Sequence, residues 1–280
     1  MILGFLGKGG SGKSSVASQM AFFLCNQAQT VLAIDADHNM DLSYNLTGGK
    51  LSADLPYVSE ALADWQMAVG VLPARKYSEV FLAQTNKYFT LSPLSPEIEK
   101  YSRLLSNGVR LMTAGPQTES VLYGQACSHS LTTPLKLLLP LLSLRSKEAV
   151  IVDEKAGADG VSTGIVTGLD VGVIVCEPAW HSIKTAKQIA SLMDFYHTPY
   201  LFLGNKMKSV EDKTWVEALL GELAAVLPEA VAVKQNPCEP VLEWQMFLAE
   251  VYEKAKQLNK NDRLVRTREK FKRNYEFEKR

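Results

Sequence analysis

The residues with the clearest chemistry lie in a glycine-rich loop near the start of the chain. The loop reads Gly7-Lys8-Gly9-Gly10-Ser11-Gly12-Lys13-Ser14-Ser15, which fits the pattern G-x-x-x-x-G-K-[ST]. Glycines let a backbone turn tightly and point successive N–H groups at phosphate oxygens. In this pattern Lys13 is predicted to reach the β- and γ-phosphates of a nucleotide, and the Ser14 hydroxyl is predicted to ligate Mg²⁺. The whole loop from Gly7 to Ser15 is therefore predicted to bind nucleotide.

The elements on either side of the loop support this interpretation. Ile2 to Leu6 is a short apolar run typical of a strand buried on both faces. Val16, Met20 and Phe23 follow at helical spacing. The amino terminus of that helix adds partial positive charge at the loop. Strand, loop and helix in this order favour a nucleotide site over a chance glycine-rich loop.

Two further apolar strands end in acids. Thr30 to Asp35 is followed by Asp37, and Glu148 to Asp153 is followed after a short interval by Gly157. Carboxylates at the carboxyl edge of a parallel strand face the crevice in which open α/β sheets bind ligands. Asp153 has the Walker B arrangement, which holds Mg²⁺. Gly157 permits close approach, so its N–H is predicted to contact the γ-phosphate.

The second half of the chain continues to alternate strands with helices. Strands are predicted at Val171–Cys176 and Tyr200–Gly204, a helix at 210–227, a short strand at 230–233 and a last helix at 240–258. Asn205 and Lys206 follow the second of these strands and are predicted to contact the nucleotide, with the Asn205 amide at the adenine edge. The alternation predicts an α/β fold with a doubly wound, mostly parallel sheet.

The second residue of the loop, Lys8, indicates one class of phosphate-binding loop. The sequence Lys8-Gly9-Gly10-x-Gly12-Lys13-Ser14 resembles the deviant phosphate loop of the MinD, ParA, nitrogenase iron protein and ArsA superfamily. The resemblance implies an ATPase that binds ATP or ADP with Mg²⁺ and closes into a homodimer on ATP. It also implies that Lys8 reaches the partner's nucleotide, that Asp37 positions the attacking water and that Asp35 lies near the outer shell of the metal. His38 stands where that family usually has proline, which leaves the loop less constrained.

Two segments resemble the CooC-type ATPases, which assist nickel insertion into carbon monoxide dehydrogenase and acetyl-CoA synthase. They are Asp153 to Gly157 and Cys176 to Ala186. That family also carries a C-x-C motif that binds one metal ion between two protomers, and here the corresponding segment has Cys127-x-His129. Both side chains are suitable ligands for Zn²⁺ or Ni²⁺, and two protomers would supply four. A small buried cysteine beside a surface histidine is an equal alternative. Lys155 replaces the family's glutamate, which puts the usual relay to the metal site in doubt.

Length and composition set the remaining expectations. The chain has 280 residues, no formal net charge and four scattered cysteines. No apolar run approaches the roughly 20 residues that span a bilayer, and no signal sequence precedes the first strand, so we expect a cytoplasmic protein. The absence of net charge gives no reason to expect a nucleic-acid partner. We expect a single ATPase domain over 1–258 with an insertion at about 50–108 that lies at the edge of the sheet.

The segment 259–280 is basic, with interleaved aromatic residues. One interpretation is an arm that binds an anionic partner or a membrane surface. The other, which we favour, is a solvated terminal helix or tail.

The function indicated by these features is that of a dimerising, CooC-like maturation ATPase with a metalloenzyme as partner. A ParA- or MinD-like positioning ATPase would bind DNA or liposomes with ATP and need no metal. An electron-transfer protein like the nitrogenase iron protein would need two bridging cysteines per protomer. A partner-binding switch reset by hydrolysis would also need no metal.

Overall fold

The computed structural model describes residues 1–50, 55–70, 81, 85–117, 123, 128–162, 164–230, 233 and 236–278. Within these ranges one sheet of eight strands organises the chain, in the order β10-β9-β8-β1-β7-β2-β5-β4. All neighbouring pairs of this sheet are parallel except β4 and β5. The strands are β1 (Ile2–Gly7), β2 (Thr30–Asp35), β3 (Phe89–Thr90), β4 (Arg103–Leu104), β5 (Arg110–Thr113), β6 (Leu142–Ser143), β7 (Glu148–Asp153), β8 (Val171–Cys176), β9 (Tyr200–Gly204) and β10 (Leu223–Val226).

Helices connect most of these strands. They are α1 (Lys13–Asn26), α2 (Asp41–Thr47), α3 (Leu62–Ala68), α4 (Pro96–Lys100), α5 (Leu135–Leu138), α6 (Asp159–Ser162), α7 (Trp180–Phe195), α8 (Val210–Leu220), α9 (Gln245–Leu258) and α10 (Arg263–Glu278). Short 3₁₀ turns cover Val58–Glu60, Ser128–Thr132, Leu139–Leu141, Ile165–Gly168 and Leu242–Trp244.

The core lies on both faces of the sheet because successive residues of each central strand point to opposite sides. Ile2 and Leu6 of β1 belong to one apolar cluster, while Leu3 and Phe5 belong to the other. All six residues of β1 are buried. The predicted α/β fold with a doubly wound, mostly parallel sheet is therefore confirmed.

The chain after β9 differs from the prediction. The helix predicted over 210–227 ends at Leu220. The end of the predicted helix is instead the strand β10 (Leu223–Val226), which pairs with β9. Gly221 ends the helix with φ of 92° and ψ of −170°, a conformation that L side chains rarely adopt. The strand predicted at 230–233 is wrong, since Ala230 lies in no strand and residue 233 is helical. The helix predicted over 240–258 begins instead with a 3₁₀ turn at Leu242–Trp244 and continues as α9.

The region predicted as an insertion adds both an edge strand and core. β4 pairs antiparallel with β5 at one end of the sheet. Trp65 of α3 is fully buried, with its ring centroid 6.0 Å from that of Phe89 and 5.8 Å from that of Tyr101. These aromatic contacts hold the region against one apolar face of the sheet.

The basic C-terminal segment packs against the domain. It forms the helix α10, in which Arg266, Thr267 and Phe271 are buried. The Thr267 hydroxyl lies 3.0 Å from that of Thr167, and the Phe271 ring stacks on Phe81 at 5.0 Å between centroids. The expectation of a solvated helix or tail is therefore wrong for this face, because a stripe of its side chains reaches the core.

Candidate functional site

The phosphate-binding loop joins the carboxyl end of β1 to the start of α1. Gly10 and Gly12 have φ of 85° and 92°, a conformation that L side chains rarely adopt. A Cβ at Gly12 would also lie 2.4 Å from Asn205 Nδ2. No side chain caps the amino terminus of α1, so its first N–H groups remain available to an anion. The backbone thus forms the turn and the donor set that the sequence predicted.

Lys13 links this loop to the neighbouring acids. Its Nζ donates to Asp153 Oδ1 at 3.1 Å and to Ser14 Oγ at 3.2 Å, and it lies 3.8 Å from Asp37 Oδ2. Burial by itself lowers the pKa of Lys13, but the carboxylates of Asp153 and Asp37 outweigh burial and raise it above its usual value. The ammonium group is therefore charged and fixed at the carboxyl edge of the sheet.

Asp35 and Asp153 end adjacent strands, and they are paired in the register of β2 with β7. Burial and the nearby Asp153 raise the pKa of Asp35 to about 7. Asp35 accepts hydrogen bonds from the Ser43 backbone N–H at 2.7 Å and from the Ser43 hydroxyl at 2.8 Å. These bonds fix the start of α2, so this structure gives Asp35 a role in positioning the loop between β2 and α2.

Asp153 and Ser14 fit a magnesium ion. Asp153 is fully buried, and its Oδ2 has no hydrogen-bond partner. An orphaned carboxylate oxygen beside a serine hydroxyl is the donor chemistry that Mg²⁺ prefers. Burial raises the pKa of Asp153, while Lys13 opposes that shift, and a divalent cation would oppose it further.

Asp37 is buried within the loop after β2. Its Oδ1 accepts the Asn39 backbone N–H at 3.2 Å and lies 3.4 Å from His38 Nδ1. Its Oδ2 faces Lys13. The loop therefore holds Asp37 close to Lys13, although His38 stands where proline is usual in the superfamily that the loop resembles.

Gly157 lies beside the same loop but donates elsewhere. Its N–H donates to the Gly7 carbonyl at 2.9 Å, and its φ is 88°.

Sequence reasoning assigned no role to Glu154, which lies three residues before Gly157. Glu154 is buried, its Oε1 has no hydrogen-bond partner, and burial with the nearby Asp153 raises its pKa to about 8. An acid next to the Walker B aspartate is visible in the sequence, but its burial is not.

Asn205 contacts the loop directly in this structure. Its Nδ2 donates to the Ser11 carbonyl at 2.8 Å, and its Oδ1 accepts the Lys206 N–H at 3.0 Å. Lys206 Nζ contacts the Gly10 carbonyl and pairs with Glu177 at 3.2 Å. The bond to Ser11 uses one of the two Nδ2 hydrogens of Asn205. The other remains for the predicted contact with adenine.

A cleft of about 360 Å³ opens beside Asn205. It is large enough for a purine and ribose by the usual size of ligand pockets. Its walls include Gly12, Asn205, Met207, Pro228 and Trp244. Sequence reasoning missed the last three. Pro228 and Trp244 are joined by a hydrogen bond of 2.9 Å from Trp244 Nε1 to the Pro228 carbonyl.

The remaining predicted residues are less constrained. Lys8 is half-buried, and its Nζ donates to the Gly9 carbonyl at 3.2 Å. Cys127 lies outside the described residues, and His129 lies in the 3₁₀ turn Ser128–Thr132. Within the described ranges, no three His, Cys, Asp or Glu side chains are grouped as metal ligands. The same ranges contain no helix with the length and hydropathy to cross a bilayer. The interface site for Zn²⁺ or Ni²⁺ stays a prediction.

Comparison with known families decides the classification. The model of the family described as "CobQ/CobB/MinD/ParA nucleotide binding domain" matches residues 3–275. The chain belongs to this family. It is therefore a P-loop ATPase, as the sequence resemblance implied.

Relatives within the CobQ/CobB/MinD/ParA family include an accessory protein. The chain is 29% identical over 215 residues to the carbon monoxide dehydrogenase accessory protein CooC of Rhodospirillum rubrum, covering 76% of each chain. It is 26% identical over 216 residues to an uncharacterized ATP-binding protein of Methanocaldococcus jannaschii, covering 76% of this chain and 80% of that protein. The resemblance to CooC stated from the motifs is thus confirmed.

Solved structures of the family share the fold. The septum site-determining protein MinD of Pyrococcus horikoshii, complexed with Mg-ADP, superposes with a TM-score of 0.63 and 16% identity over 92% of this chain and 96% of that chain. A ParA family ATPase from Chlorobium tepidum gives a TM-score of 0.53 and 20% identity over 94% and 97% of the two chains.

Proposed function

We propose that this protein is a dimerising ATPase of the CooC kind that assists the insertion of nickel into a metalloenzyme. The observation that carries the proposal is the 29% identity to CooC across three quarters of both chains. The conserved chemistry would be ATP hydrolysis, and the nickel ion would be cargo.

The nucleotide site supplies the residues that this hydrolysis needs. Lys13 carries a fixed positive charge to the β- and γ-phosphates, where negative charge develops in the transition state. Asp37 holds the attacking water, and its buried position keeps that water aligned. Mg²⁺ held by Ser14 and Asp153 would neutralise phosphate charge when bound. Lys8 donates to the Gly9 carbonyl of its own loop and would meet the partner's nucleotide across a two-fold axis.

The segment with the predicted metal ligands is followed by residues that contact the loops after β2 and β7. Leu131 and Thr132 follow Cys127-x-His129 by two and three positions, counting from His129. They line a small cavity together with Ala36 and His38 from the loop after β2, and with Glu154 from the loop after β7. A shift of either loop on ATP binding or hydrolysis would therefore reach the cargo segment within one layer of contacts.

The test combines metal content with oligomeric state. The Asp37→Ala variant, which slows hydrolysis, should be a dimer with ATP and take up about one Zn²⁺ or Ni²⁺ per two chains. Cys127→Ser and His129→Ala should each remove most of the metal affinity, while Cys238→Ser and His197→Gln serve as matched controls. Binding needs a thiolate and a neutral imidazole, so affinity should fall as the pH drops toward 6.

One outcome favours a different function. If calorimetry detects no uptake of either metal, with or without nucleotide, while ATP still drives dimerisation, the protein is an ATP-dependent partner-binding switch. A monomer under saturating ATP in light scattering would exclude both the switch and the maturation factor as stated.

A further inference from the structure

A small cavity lies between α7 and α10, far from the nucleotide loop. Leu169 and Asp170, which contact α10, precede β8, whereas the phosphate loop follows the carboxyl end of β1. Because β1 and β8 are parallel, the two places lie at opposite edges of the sheet. The cavity measures about 80 Å³ and is lined by Arg266, Lys270, Arg273, Glu269, His197 and Asn274, besides two aromatic side chains.

Arg266 is the most buried of the three cations that line this cavity. Only 4% of the residue is exposed. Its Nη2 donates to the Leu169 carbonyl at 2.5 Å, and its Nη1 pairs with Asp262. Its Nε is buried and has no hydrogen-bond partner. A buried guanidinium N–H without an acceptor is unfavourable, so a residue that lines the cavity has an unused donor.

Two more cations surround the same space. Arg273 is exposed at the mouth, and Lys270 is half-buried along the wall. Burial and the charge of Lys136 lower the pKa of Lys270 to about 8. Glu269 is the one carboxylate among the lining residues, against three cations. The cavity therefore has an excess of positive charge that a bound anion would balance.

Capping of α7 does not account for these cations. The last carbonyls of that helix already accept backbone N–H groups: Leu192 from Tyr196 at 3.0 Å, Met193 from Thr198 at 2.9 Å and Asp194 from His197 at 3.0 Å. Side-chain cations at a helix carboxyl terminus usually serve those carbonyls. Here backbone N–H groups already take that role.

We propose that this cavity binds a phosphate-class oxyanion, either a free phosphomonoester or a lipid headgroup of the same chemistry. Arg266 Nε and Arg273 would donate to its oxygens, and Lys270 would add charge. The volume is sufficient for one tetrahedral anion. The site gives the basic segment recognised in the sequence a specific anionic ligand.

The histidines allow a local measurement on the full-length protein. The chain has four, so their ring resonances can be assigned with single His→Gln variants. His197 lines the cavity, while His38 lies beside the nucleotide loop. Inorganic phosphate should shift His197 saturably. Arg273→Gln should weaken that shift about tenfold or more, as loss of a charge-assisted hydrogen bond predicts.

Lys272→Gln is the matched control, since it removes one exposed charge next to Arg273 but outside the cavity. It should leave the titration unchanged. Phosphate that shifts only His38, or that shifts His197 equally in Arg273→Gln, would overturn the proposal.

Vesicles distinguish the two sources of the anion. Sedimentation with phosphatidylcholine vesicles containing phosphatidate, lost in Arg273→Gln and competed by phosphate, would assign the headgroup. A His197 shift with phosphate but no sedimentation would assign a soluble phosphomonoester. Failure of both ligands would refute the site without touching the ATPase proposal.

Discussion

Lys13 is a buried lysine and Lys270 a half-buried one, and their surroundings shift the pKa in opposite directions. Lys13 lies among Asp153 and Asp37, which raise its pKa despite burial. Lys270 lies near Lys136 and among the cations of the α10 cavity, and burial lowers its pKa to about 8. The protein thus balances the charge that must stay in the nucleotide loop and leaves the charge at α10 in excess. Three cations and one carboxylate around one cavity indicate a place where a bound anion would improve the charge balance.

The largest expected effect comes from removing the balanced cation. Lys13→Ala should lower kcat for ATP hydrolysis by on the order of 10²–10³, because a preorganised charge at the phosphates is lost. Phosphate release at saturating Mg-ATP measures this, with Lys272→Ala as the control. Turnover equal to the wild type would contradict the assignment of the nucleotide site.

Lys8 extends the comparison to a second cation of the same loop. Within the described residues Lys8 forms no ion pair, so we expect its charge to be balanced by the partner's phosphates. Lys8→Ala, made in the Asp37→Ala background, should weaken the ATP-dependent dimer about tenfold or more. Sedimentation equilibrium with ATP measures it, and an unchanged dimer constant would remove Lys8 from the interface.

Asn205 tests how much the loop depends on neutral bonds rather than on charge. Asn205→Ala removes the hydrogen bond from Nδ2 to the Ser11 carbonyl. Loss of one such bond, about 1 kcal/mol, should raise KM for ATP roughly fivefold with little change in kcat. Asn236→Ala, at an exposed position, is the control. A larger fall in kcat than rise in KM would show that Asn205 acts in the transition state instead.

The smallest expected effect is on stability at the α10 cavity. The pKa of Lys270 is about 8 in the folded protein and 10.5 as its ordinary value. Between these pH values the unfolded chain binds more protons at this position, so the free energy of unfolding should rise with pH across that window. Lys270→Met should add ~1 kcal/mol at pH 7 and flatten that rise.

Urea unfolding at several pH values measures the slope, and Lys272→Met controls for a surface charge. The groups that share the cavity with Lys270 are Arg266, Arg273, Glu269 and His197, and Lys136 faces it from α5. Lys13, whose pKa is raised, would lose its contribution only above its ordinary pKa, so it does not mask the effect. A variant with the wild-type slope would show that Lys270 keeps an ordinary pKa.

Sequence reasoning succeeded where a residue's role depends on its immediate neighbours. The glycines of the phosphate loop and the acids after β2 and β7 were predicted from short apolar runs followed by polar residues. It failed where the fold joins distant segments. Leu223 to Val226 has no periodicity that separates a strand from the end of a helix, so only Gly221 marked the boundary.

The base cleft and the α10 cavity were missed for a related reason. Trp244 and Pro228 meet through a tertiary hydrogen bond. Arg266 belongs to a run of charges that looks solvated in the sequence, and only the fold, in which it donates to the Leu169 carbonyl, shows that it is buried. The direction in which a helix presents its charges cannot be inferred from their number.

The Gly157 N–H donates to the Gly7 carbonyl, so a terminal phosphate at the same place would compete with that carbonyl for the N–H. A single N–H donates well to only one acceptor, so contact with a terminal phosphate requires that the Gly7 carbonyl be released. Triphosphate and diphosphate would then leave different signatures in hydrogen exchange at this one position. With diphosphate the Gly7 carbonyl would protect the amide, and with triphosphate the ligand would. The exchange rate of this amide would then report which nucleotide is bound.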